Sequence, residues 1–532
     1  MSSIELGSVI VDALVGMGAT DVVLAPGSRS APLALALDRA DKAGSLRLHV
    51  RIDERVAAFT ALGLAKESGR AVAVVTTSGT AVANLAPAMM EAEAAGVPLI
   101  AITADRPAFY VGTGASQTTD QVGVFGPSAL AVIRLSSSSG RADAWAAAVY
   151  RAVVIAEGRR TRRRGPVQLN VEFGVPLVGE LPAAEPRGIE VARSRPADVT
   201  ELDGRRTVVL VGDATPEQGA EARALAELSG APLLAEPSSN ARAGANAIAA
   251  YRHLLDGVGE GIERVICFGH QTLTRPVTAL LRRDGVEVVV VADGALWPDV
   301  SHRALIIADR VALEPQDDAW LAAWREADVE WSAAHRLDVS AQEPVADVRG
   351  LQSVAGRDLD QQAVADSVLA SLGAEHDLVV GSSSIIRALD LSPVNPTPPR
   401  VYANRGLAGI DGTLATAMGL ALSSGRPTTL ILGDLTMQHD LGSLARPASE
   451  PRADVRVVVA DDNGGSIFHT LEQGAPEYAD SFERVFGTPQ DVDLVAVADA
   501  MGWDAVRVST REELDAALAS RAEFIVASVP RG

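Results

Sequence analysis

Short apolar runs of four to six residues alternate with longer Ala- and Leu-rich stretches from one end of the chain to the other. Runs that are uniformly apolar are typical of strands buried on both faces, as in a parallel sheet. Their alternation with helical patterns predicts an α/β fold with right-handed crossovers. The predicted strands lie in DVVLAPG, RLHVRID, AVAVVTTSG, PLIAITAD, PVQLNV, TVVLVGD, PLLAEP, RVICFG, VEVVVVAD, RALIIAD, DLVVGSSS, RVYAN, TTLILGD, VRVVVADDNGG and FIVASV.

Two stretches lose this pattern and are interpreted as linkers, 178–206, which is rich in Pro and charge, and 335–360. A chain of 532 residues is too long for one hydrophobic core. The pattern therefore predicts three α/β domains, with boundaries at 1–180, 195–335 and 355–532.

Composition narrows the choice of partners. The formal net charge of −21 and the pI of about 4.9 disfavour nucleic acid and anionic membranes, which both require a basic surface. The single cysteine, Cys267, lies in an apolar run, which fits a buried thiol in a reducing compartment. No apolar run reaches the roughly 18–20 residues that span a bilayer, and the acidic N-terminus differs from a signal peptide. We expect a soluble, cytoplasmic protein without stable membrane insertion.

Oxygen ligands follow two of the predicted strands. Asp434 ends TTLILGD, and Asn463 with two glycines ends RVVVADDNGG, 29 positions further on. Mg²⁺ is commonly held by one or two carboxylates together with phosphate oxygens, so these strand ends are candidates for a cation site. A second Gly-Asp pair ends at Asp213, with Asn240 downstream, but it lacks the paired glycines. Spacing alone leaves both sites open, and we predict that Asp213 is only a turn acid.

The sequence GDLTMQHD followed by DDNGGSIF resembles the signature of thiamine diphosphate enzymes, in which Gly-Asp-Gly precedes an Asn by one helix and one strand. Leu435 replaces the third glycine. The resemblance implies three doubly wound parallel-sheet domains that bind the pyrimidine, no cofactor, and the diphosphate, in that order. It implies that Asp434, Asn463 and the carbonyl of Gly465 bind Mg²⁺ or Mn²⁺, beside Gly433 and Leu435. Ser382 and Ser383, in GSSS, would contact the diphosphate or cap a helix.

Glu54 stands where the run RLHVRID meets an Ala-rich helical stretch. Its position alone favours a first-turn acid stabilised by the helix dipole. The resemblance implies instead the carboxylate that activates the pyrimidine of the cofactor. In this family, residues of two subunits form each active site, which implies a homodimer at least and leaves a tetramer open.

Four arginines follow predicted strands or begin predicted helices: Arg29, Arg106, Arg387 and Arg405. Any one alone would be an ordinary surface cation. Four of them in strand-end loops of an acidic protein indicate substrates with several carboxylates, which Arg binds through two parallel hydrogen bonds.

The segments APGSRSAPLALAL, RIDER, TSGTAVANL, TADRP, GASQ and NRGLAGIDGTLATAMG, with the two cofactor motifs, resemble one branch of the family across the first and third domains. That branch, from menaquinone biosynthesis, decarboxylates 2-oxoglutarate and adds the succinyl carbanion to isochorismate by 1,4-addition. The resemblance implies that Ser28, Arg29, Arg106 and Gln117 orient isochorismate. Ser383, Arg387 and Arg405 would hold carboxylates of the 2-oxoglutarate adduct, although the division between the two substrates stays open.

Further roles follow from the same resemblance. Ile410 would support the bent cofactor, while Ile467, Phe468 and Leu471 would form an apolar wall beside it. Arg275 is a weaker candidate for a carboxylate contact. The remaining candidates are His439 and His469, which would shuttle protons or, as we favour, serve the structure.

Three alternatives remain at this point. The first is another thiamine diphosphate enzyme acting on smaller acids, against which Arg387 and Arg405 count. The second is a non-catalytic nucleotide-binding protein, against which the presence of Glu54, Asp434 and Asn463 counts. The third is a flavin oxidase, although the middle domain shows no G-x-G-x-x-G after a strand.

Overall fold

A computed structural model describes residues 2–193, 198–338 and 359–531, without the side chains of 336–338. The chain forms two compact units. The first unit comprises Met1–Arg195, Asn404–Thr428 and Met437–Val455, and the second comprises Pro196–Ala403, Thr429–Thr436 and Arg456–Gly532. The middle of the linker predicted at 335–360, and residues 194–197 of the other linker, lie outside the described residues. The domain boundaries therefore stay a prediction.

A six-stranded, all-parallel sheet forms the core of the first unit, in the order β2-β1-β3-β4-β6-β5. Apolar side chains on both faces are buried under helices, as the uniformly apolar runs predict. The strands are β1 (Asp21–Leu24), β2 (Arg47–Val50), β3 (Val72–Thr76), β4 (Leu99–Asp105), β5 (Ala131–Ser136) and β6 (Val167–Glu172). The helices are α1 (Ser3–Gly16), α2 (Ala31–Lys42), α3 (Glu54–Ser68), α4 (Thr80–Ala83), α5 (Ala86–Ala94) and α6 (Ala142–Ala156).

The second unit begins with a five-stranded parallel sheet, in the order β12-β11-β10-β8-β9, and a separate β13-β7 pair. The strands are β7 (Val199–Leu202), β8 (Thr207–Val211), β9 (Leu233–Ala235), β10 (Arg264–Phe268), β11 (Glu287–Val291), β12 (Ala304–Ala308) and β13 (Arg310–Leu313). The helices are α7 (Pro216–Ser229), α8 (Arg275–Leu281) and α9 (Asp318–Asp338).

A further six-stranded sheet follows, in the order β15-β14-β16-β17-β19-β18. The strands are β14 (Asp377–Val380), β15 (Arg400–Ala403), β16 (Thr428–Gly433), β17 (Val455–Asp461), β18 (Ala505–Val508) and β19 (Phe524–Ser528). The helices in this part of the sequence are α10 (Gln361–Ala370), α11 (Ile385–Leu389), α12 (Thr413–Ser424), α13 (Asp434–His439), α14 (Ala479–Phe482), α15 (Leu494–Ala500) and α16 (Arg511–Ala519), of which α12 belongs to the first unit.

The three parallel sheets confirm the predicted α/β fold class, and each predicted strand is present. The sequence pattern did not indicate β5, β7, β13 or β18, and β7 lies within the predicted linker 178–206. All four strands are partly exposed, with burial patterns that break the uniformly apolar signal.

Helix α12 packs against α3 within the first unit, and glycines permit a close approach of the two backbones. A Cβ atom on Gly63 would lie 2.1 Å from the carbonyl oxygen of Thr416, and one on Gly419 would lie 2.1 Å from that of Thr60. This packing fixes α3, the helix whose first residue is Glu54.

Among the helices of residues 2–193, 198–338 and 359–531, none combines the length and apolar character needed to cross a bilayer.

Candidate functional site

The predicted site residues fall into two groups, one in each unit, and each group is described by itself. In the second unit they follow β14, β16 and β17, three neighbouring strands of one sheet. Because the carboxyl ends of parallel strands meet at one edge, Ser383, Asp434 and Asn463 are brought to the same edge of that sheet.

Asp434 is the most buried of these oxygen ligands. Its side chain is 2% exposed, and its Oδ2 accepts a hydrogen bond of 2.8 Å from the backbone N–H of Gly464. The contact joins the end of β16 to the loop after β17, which the sequence analysis predicted from the order of the motifs.

Burial, together with the neighbouring carboxylates of Asp462 and Asp461, raises the pKa of Asp434 from its usual 3.8 to about 7. Asp462 is also buried, and its Oδ1 has no hydrogen-bond partner in the described structure. An accumulation of carboxylates at a buried strand end is stabilised by a cation, so the electrostatics suit a divalent metal.

Ser383 lies directly against the end of β16. A Cβ atom on Gly433 would lie 3.2 Å from the Cβ of Ser383, so these two strand ends are in contact. Within the described residues, the Ser383 hydroxyl is buried without a hydrogen-bond partner. A buried hydroxyl without a partner is costly, and a phosphate oxygen would satisfy it.

The loop after β17 is held tightly. A Cβ atom on Gly464 would lie 2.2 Å from the carbonyl oxygen of Gly487, which also accepts a bond of 2.7 Å from the Gly465 N–H. Gly464 has φ +138°, a conformation that side chains disfavour. Asn463 is exposed with φ 55°, and its Oδ1 accepts a bond of 3.2 Å from the N–H of Gln490.

A short 3₁₀ turn, Ser466–Thr470, continues this loop and places Ile467 and Phe468 half-buried beside it. The Phe468 ring packs on Phe486, with 5.8 Å between the ring centroids. The ring of His469, an exposed residue, lies 4.0 Å from that of Phe482.

Two arginines of the second unit occupy different settings. Arg275 begins α8, is exposed, and forms an ion pair of 2.8 Å with Glu472, next to Leu471. Arg387 is half-buried within α11, one helical turn after Ser383.

In the first unit, the structure brings Arg29 and Arg106 together. The pKa of Arg29 is lowered by burial and by the positive charge of Arg106, and its Nη1 donates a hydrogen bond of 2.8 Å to the carbonyl of Phe173. The Nε of Arg106 is buried without a partner in the described residues. Two guanidinium groups close enough to interact are suited to binding an anion. Ser28 is exposed on the loop that carries Arg29.

Gln117 is exposed on the same unit with φ 54°, a strained value for this residue type. Its backbone carbonyl accepts a bond of 2.8 Å from the Ser78 hydroxyl, and its side-chain amide donates one of 3.1 Å to the Ser78 carbonyl. The structure therefore fixes both the backbone and the side chain of Gln117.

Glu54 is half-buried and is the first residue of α3. The preceding Asp53 caps the helix, with its side chain accepting bonds of 2.8 and 3.2 Å from the N–H groups of Arg55 and Val56. Because Asp53 performs the capping, the carboxylate of Glu54 is not needed for that purpose.

Arg405 is 7% exposed and Ile410 is 36% exposed in the segment that precedes α12. Glu91 fixes this segment by accepting bonds of 2.8 and 2.7 Å from the N–H groups of Gly406 and Leu407. A cavity of about 180 Å³ lies beside it, lined by Phe59, Pro87, Met90, Glu91, Asn404, Leu407, Gly409 and Asp411.

The remaining candidates have structural surroundings. Asp213 pairs with His270 through its backbone, and the amide of Asn240 bonds the backbone of Val401 and Ala214. Burial raises the pKa of the Cys267 thiol to about 12, as expected for an unreactive cysteine. Arg55 donates a bond of 2.9 Å to the carbonyl of His439.

The residues of the second unit fit a metal bound through a diphosphate. In the part of the chain that the structure describes, no group of three or more His, Cys, Asp or Glu side chains is arranged around a metal position. A cation at Asp434 would therefore complete its coordination with amide, backbone and phosphate oxygens.

Comparison with known proteins supports the same chemistry. A family model described as thiamine pyrophosphate enzyme, N-terminal TPP binding domain, matches residues 4–124, and the corresponding C-terminal TPP binding domain matches residues 380–526. Thiamine pyrophosphate is another name for thiamine diphosphate.

Curated relatives match almost the entire chain. A protein of Kineococcus radiotolerans is 46% identical, with 98% of this chain and 94% of the relative covered. One from a Nocardioides species is 46% identical over 96% and 92%, and one from Paenarthrobacter aurescens is 45% identical over 98% and 92%. All three carry the name 2-succinyl-5-enolpyruvyl-6-hydroxy-3-cyclohexene-1-carboxylate synthase.

Proposed function

This chain belongs to the 2-succinyl-5-enolpyruvyl-6-hydroxy-3-cyclohexene-1-carboxylate synthases, thiamine diphosphate-dependent transferases, and we propose on that premise that it joins 2-oxoglutarate to isochorismate. 2-Oxoglutarate loses CO₂, and its former keto carbon forms a bond to the ring of isochorismate by 1,4-addition. The product is the succinyl-enolpyruvyl-hydroxycyclohexene carboxylate of the family name, an intermediate of menaquinone biosynthesis.

Bound thiamine diphosphate supplies the nucleophilic carbon and holds the electron pair that decarboxylation leaves behind. The second unit would bind its diphosphate end. We propose that Asp434, the Asn463 amide and the Gly465 carbonyl hold Mg²⁺ or Mn²⁺, with Ser382 and Ser383 donating to phosphate oxygens. The raised pKa of Asp434 and the unpartnered hydroxyl of Ser383 support this assignment.

Glu54 is proposed to accept a hydrogen bond from the pyrimidine ring and so to promote deprotonation of the reacting carbon. Its helix is fixed by the Gly63 and Gly419 contacts with α12, while Asp53 supplies the cap. A carboxylate on a rigid helix end is suited to this role because its direction is set by the fold. Ile410 would support the cofactor from the segment before α12.

The substrates together carry four carboxylates, which the arginines would bind. Arg29 and Arg106, with Ser28 and Gln117, are proposed to orient isochorismate. This proposal is supported by the closeness of the two guanidinium groups and by the buried, unpartnered Nε of Arg106 in the described residues. Ser383, Arg387 and Arg405 are proposed to hold the carboxylates derived from 2-oxoglutarate, and Arg275 is a weaker candidate because Glu472 pairs with it. Ile467, Phe468 and Leu471 would exclude water from the reacting carbon.

We further propose that the chain acts as a homodimer at least, with residues from two subunits in each active site. The observation that carries the proposed function is the pairing of Arg29 with Arg106, which suits the dianionic acceptor isochorismate. The choice of 2-oxoglutarate over smaller acids as donor rests on Arg387 and Arg405.

A donor competition tests the proposed binding of 2-oxoglutarate through Arg387 and Arg405. With isochorismate present, 2-oxoglutarate should be turned over at least about a hundredfold faster than pyruvate at equal concentration, since each lost charged contact is worth about tenfold or more. Equal turnover of the two acids would contradict the proposed substrate and would favour a carboligase for smaller acids.

A further inference from the structure

The connection between β4 and β5, residues 106–130, contains no α-helix and only two short 3₁₀ turns, Ala108–Tyr110 and Gly126–Ser128. It carries both Arg106 and Gln117. A long connection without helical hydrogen bonds must satisfy its backbone groups in another way. The partners of those backbone groups therefore decide where its functional side chains lie.

Two buried side-chain amides supply these partners. Gln168, on β6 and 0% exposed, donates a bond of 2.7 Å to the carbonyl of Gln121 and accepts one of 2.8 Å from the N–H of Gly123. Gln121 is 1% exposed, although it belongs to the connection itself. The loop is thus attached to β6 at Gln121 and Gly123.

The Gln121 side chain forms hydrogen bonds with three separate segments of the first unit. Its Oε1 accepts a bond of 3.3 Å from the N–H of Gly79, and its Nε2 donates bonds of 3.1 Å to the Ala104 carbonyl and 2.8 Å to Asn170 Oδ1. Gly79 follows Ser78, the residue that holds Gln117 through two hydrogen bonds.

The same network reaches Arg106. Asn170 donates a bond of 2.9 Å to one carboxylate oxygen of Asp105, and the other oxygen accepts a bond of 2.7 Å from the Arg106 N–H. Thr103 also donates a bond of 2.8 Å to Asn170. A chain of hydrogen bonds therefore connects Gln121 to Gln117 and Arg106, two of the candidate substrate-binding positions of this unit.

We propose that Gln121 is a positioning residue for the isochorismate site, which acts through the loop carrying Gln117 and the strand end carrying Arg106. This inference rests on the proposed function. An uncharged amide adds little to the electrostatic field of the site, but three hydrogen bonds fix the geometry of the residues around it. Buried polar networks of this kind specify one arrangement when every member has a partner.

The test replaces the amide by a side chain of similar length in Gln121→Met. We expect the KM for isochorismate to rise about tenfold, as loss of one or two hydrogen bonds predicts. The KM for 2-oxoglutarate and kcat should stay within about twofold. The matched control is Gln316→Met. Gln316 is also buried and bonds backbone groups, but its partners are the Thr207 N–H at the start of β8 and the Glu314 carbonyl, both in the second unit.

A double-mutant cycle separates positioning from general destabilisation. If Gln121 acts through Gln117, the effects of Gln121→Met and Gln117→Ala on the isochorismate KM should be less than additive. Additive effects, or equal changes in both KM values, would overturn the proposal. Should Gln121→Met fail to fold, Ser78→Ala removes one hydroxyl from the same linkage, and an unchanged isochorismate KM in that variant would also overturn it.

Assays of the wild-type enzyme and of Gln121→Met distinguish failure of the proposed function from failure of the role proposed for Gln121. If it forms no product from isochorismate, the proposed function fails. If it forms product and Gln121→Met leaves the isochorismate KM unchanged, only the role of Gln121 fails.

Discussion

Removing the charge of Asp434 should stabilise the metal-free protein while weakening cofactor binding. In the Asp434→Asn variant, the amide oxygen can still accept the bond from Gly464, so the loop contact of 2.8 Å is retained. The variant lacks the negative charge of Asp434, which destabilises the folded metal-free protein because the carboxylate is buried beside two other carboxylates. Opposite effects on stability and on binding are expected because the charge serves the ligand rather than the fold.

The size of the change in the free energy of unfolding follows from the pKa shift of Asp434. A rise from 3.8 to about 7 corresponds to about 4 kcal/mol at about 1.4 kcal/mol per pH unit. Because the folded state holds the proton more tightly than the unfolded chain, the free energy of unfolding falls as pH rises from about 4 to about 7 and stays low above it. Asp434→Asn should therefore raise the free energy of unfolding at pH 8 by about 2–4 kcal/mol, and by about 2 kcal/mol less at pH 5.

Urea unfolding of metal-free protein at the two pH values measures this difference, and calorimetric titration with thiamine diphosphate and Mg²⁺ measures binding. The Mg²⁺-dependent affinity should fall at least about tenfold, as for loss of one charged contact. Asp213→Asn is the control and should change neither quantity by more than about twofold in affinity or about 0.5 kcal/mol in stability. An equal gain at pH 5 and pH 8, or unchanged binding, would refute the assignment.

Three further predictions concern the first unit. Glu54→Gln should reduce turnover at least about a hundredfold while Mg²⁺-dependent cofactor binding persists, and unchanged turnover in a steady-state assay would argue against its role. Gly419→Ala should lower the free energy of unfolding by about 1–3 kcal/mol, because the new Cβ would lie 2.1 Å from the Thr60 carbonyl oxygen. Urea unfolding measures this change, and a neutral result would show that α12 can move. Asp440→Ala should lower the free energy of unfolding by about 1–2 kcal/mol in the same assay, because Asp440 caps α12 by accepting a bond of 2.8 Å from the Leu414 N–H. A smaller loss than in a surface control such as Asp38→Ala would contradict the capping role.

The strands and the meeting of Asp434 with Gly464 could be predicted from the sequence, because parallel strands place consecutive motifs at one edge of a sheet. Other features could not. Gln168 and Asn170 occupy the centre of β6, where the sequence pattern only shows polar interruptions of an apolar run. Gln168 and Asn170 fix the loop and the end of β4 through hydrogen bonds to Gln121 and Asp105, which lie 47 and 65 positions away in the sequence.

The cap of α12 was missed for a similar reason. Asp440 accepts hydrogen bonds from the N–H groups of Leu414 and Ala415, which lie 26 and 25 positions earlier in the chain, so no local capping signal exists. The segments 404–428 and 437–455 belong to the first unit although the sequence order suggested the third domain. Such groupings depend on tertiary packing, which the periodicity of a single segment does not report.

The proposed reaction is tested by measuring product formation from 2-oxoglutarate and isochorismate, with CO₂ release followed in parallel, while each component is omitted in turn. We predict that the succinyl-enolpyruvyl product requires both substrates, thiamine diphosphate and a divalent cation. Decarboxylation of 2-oxoglutarate at the same rate without isochorismate, and no joined product in its presence, would contradict the account.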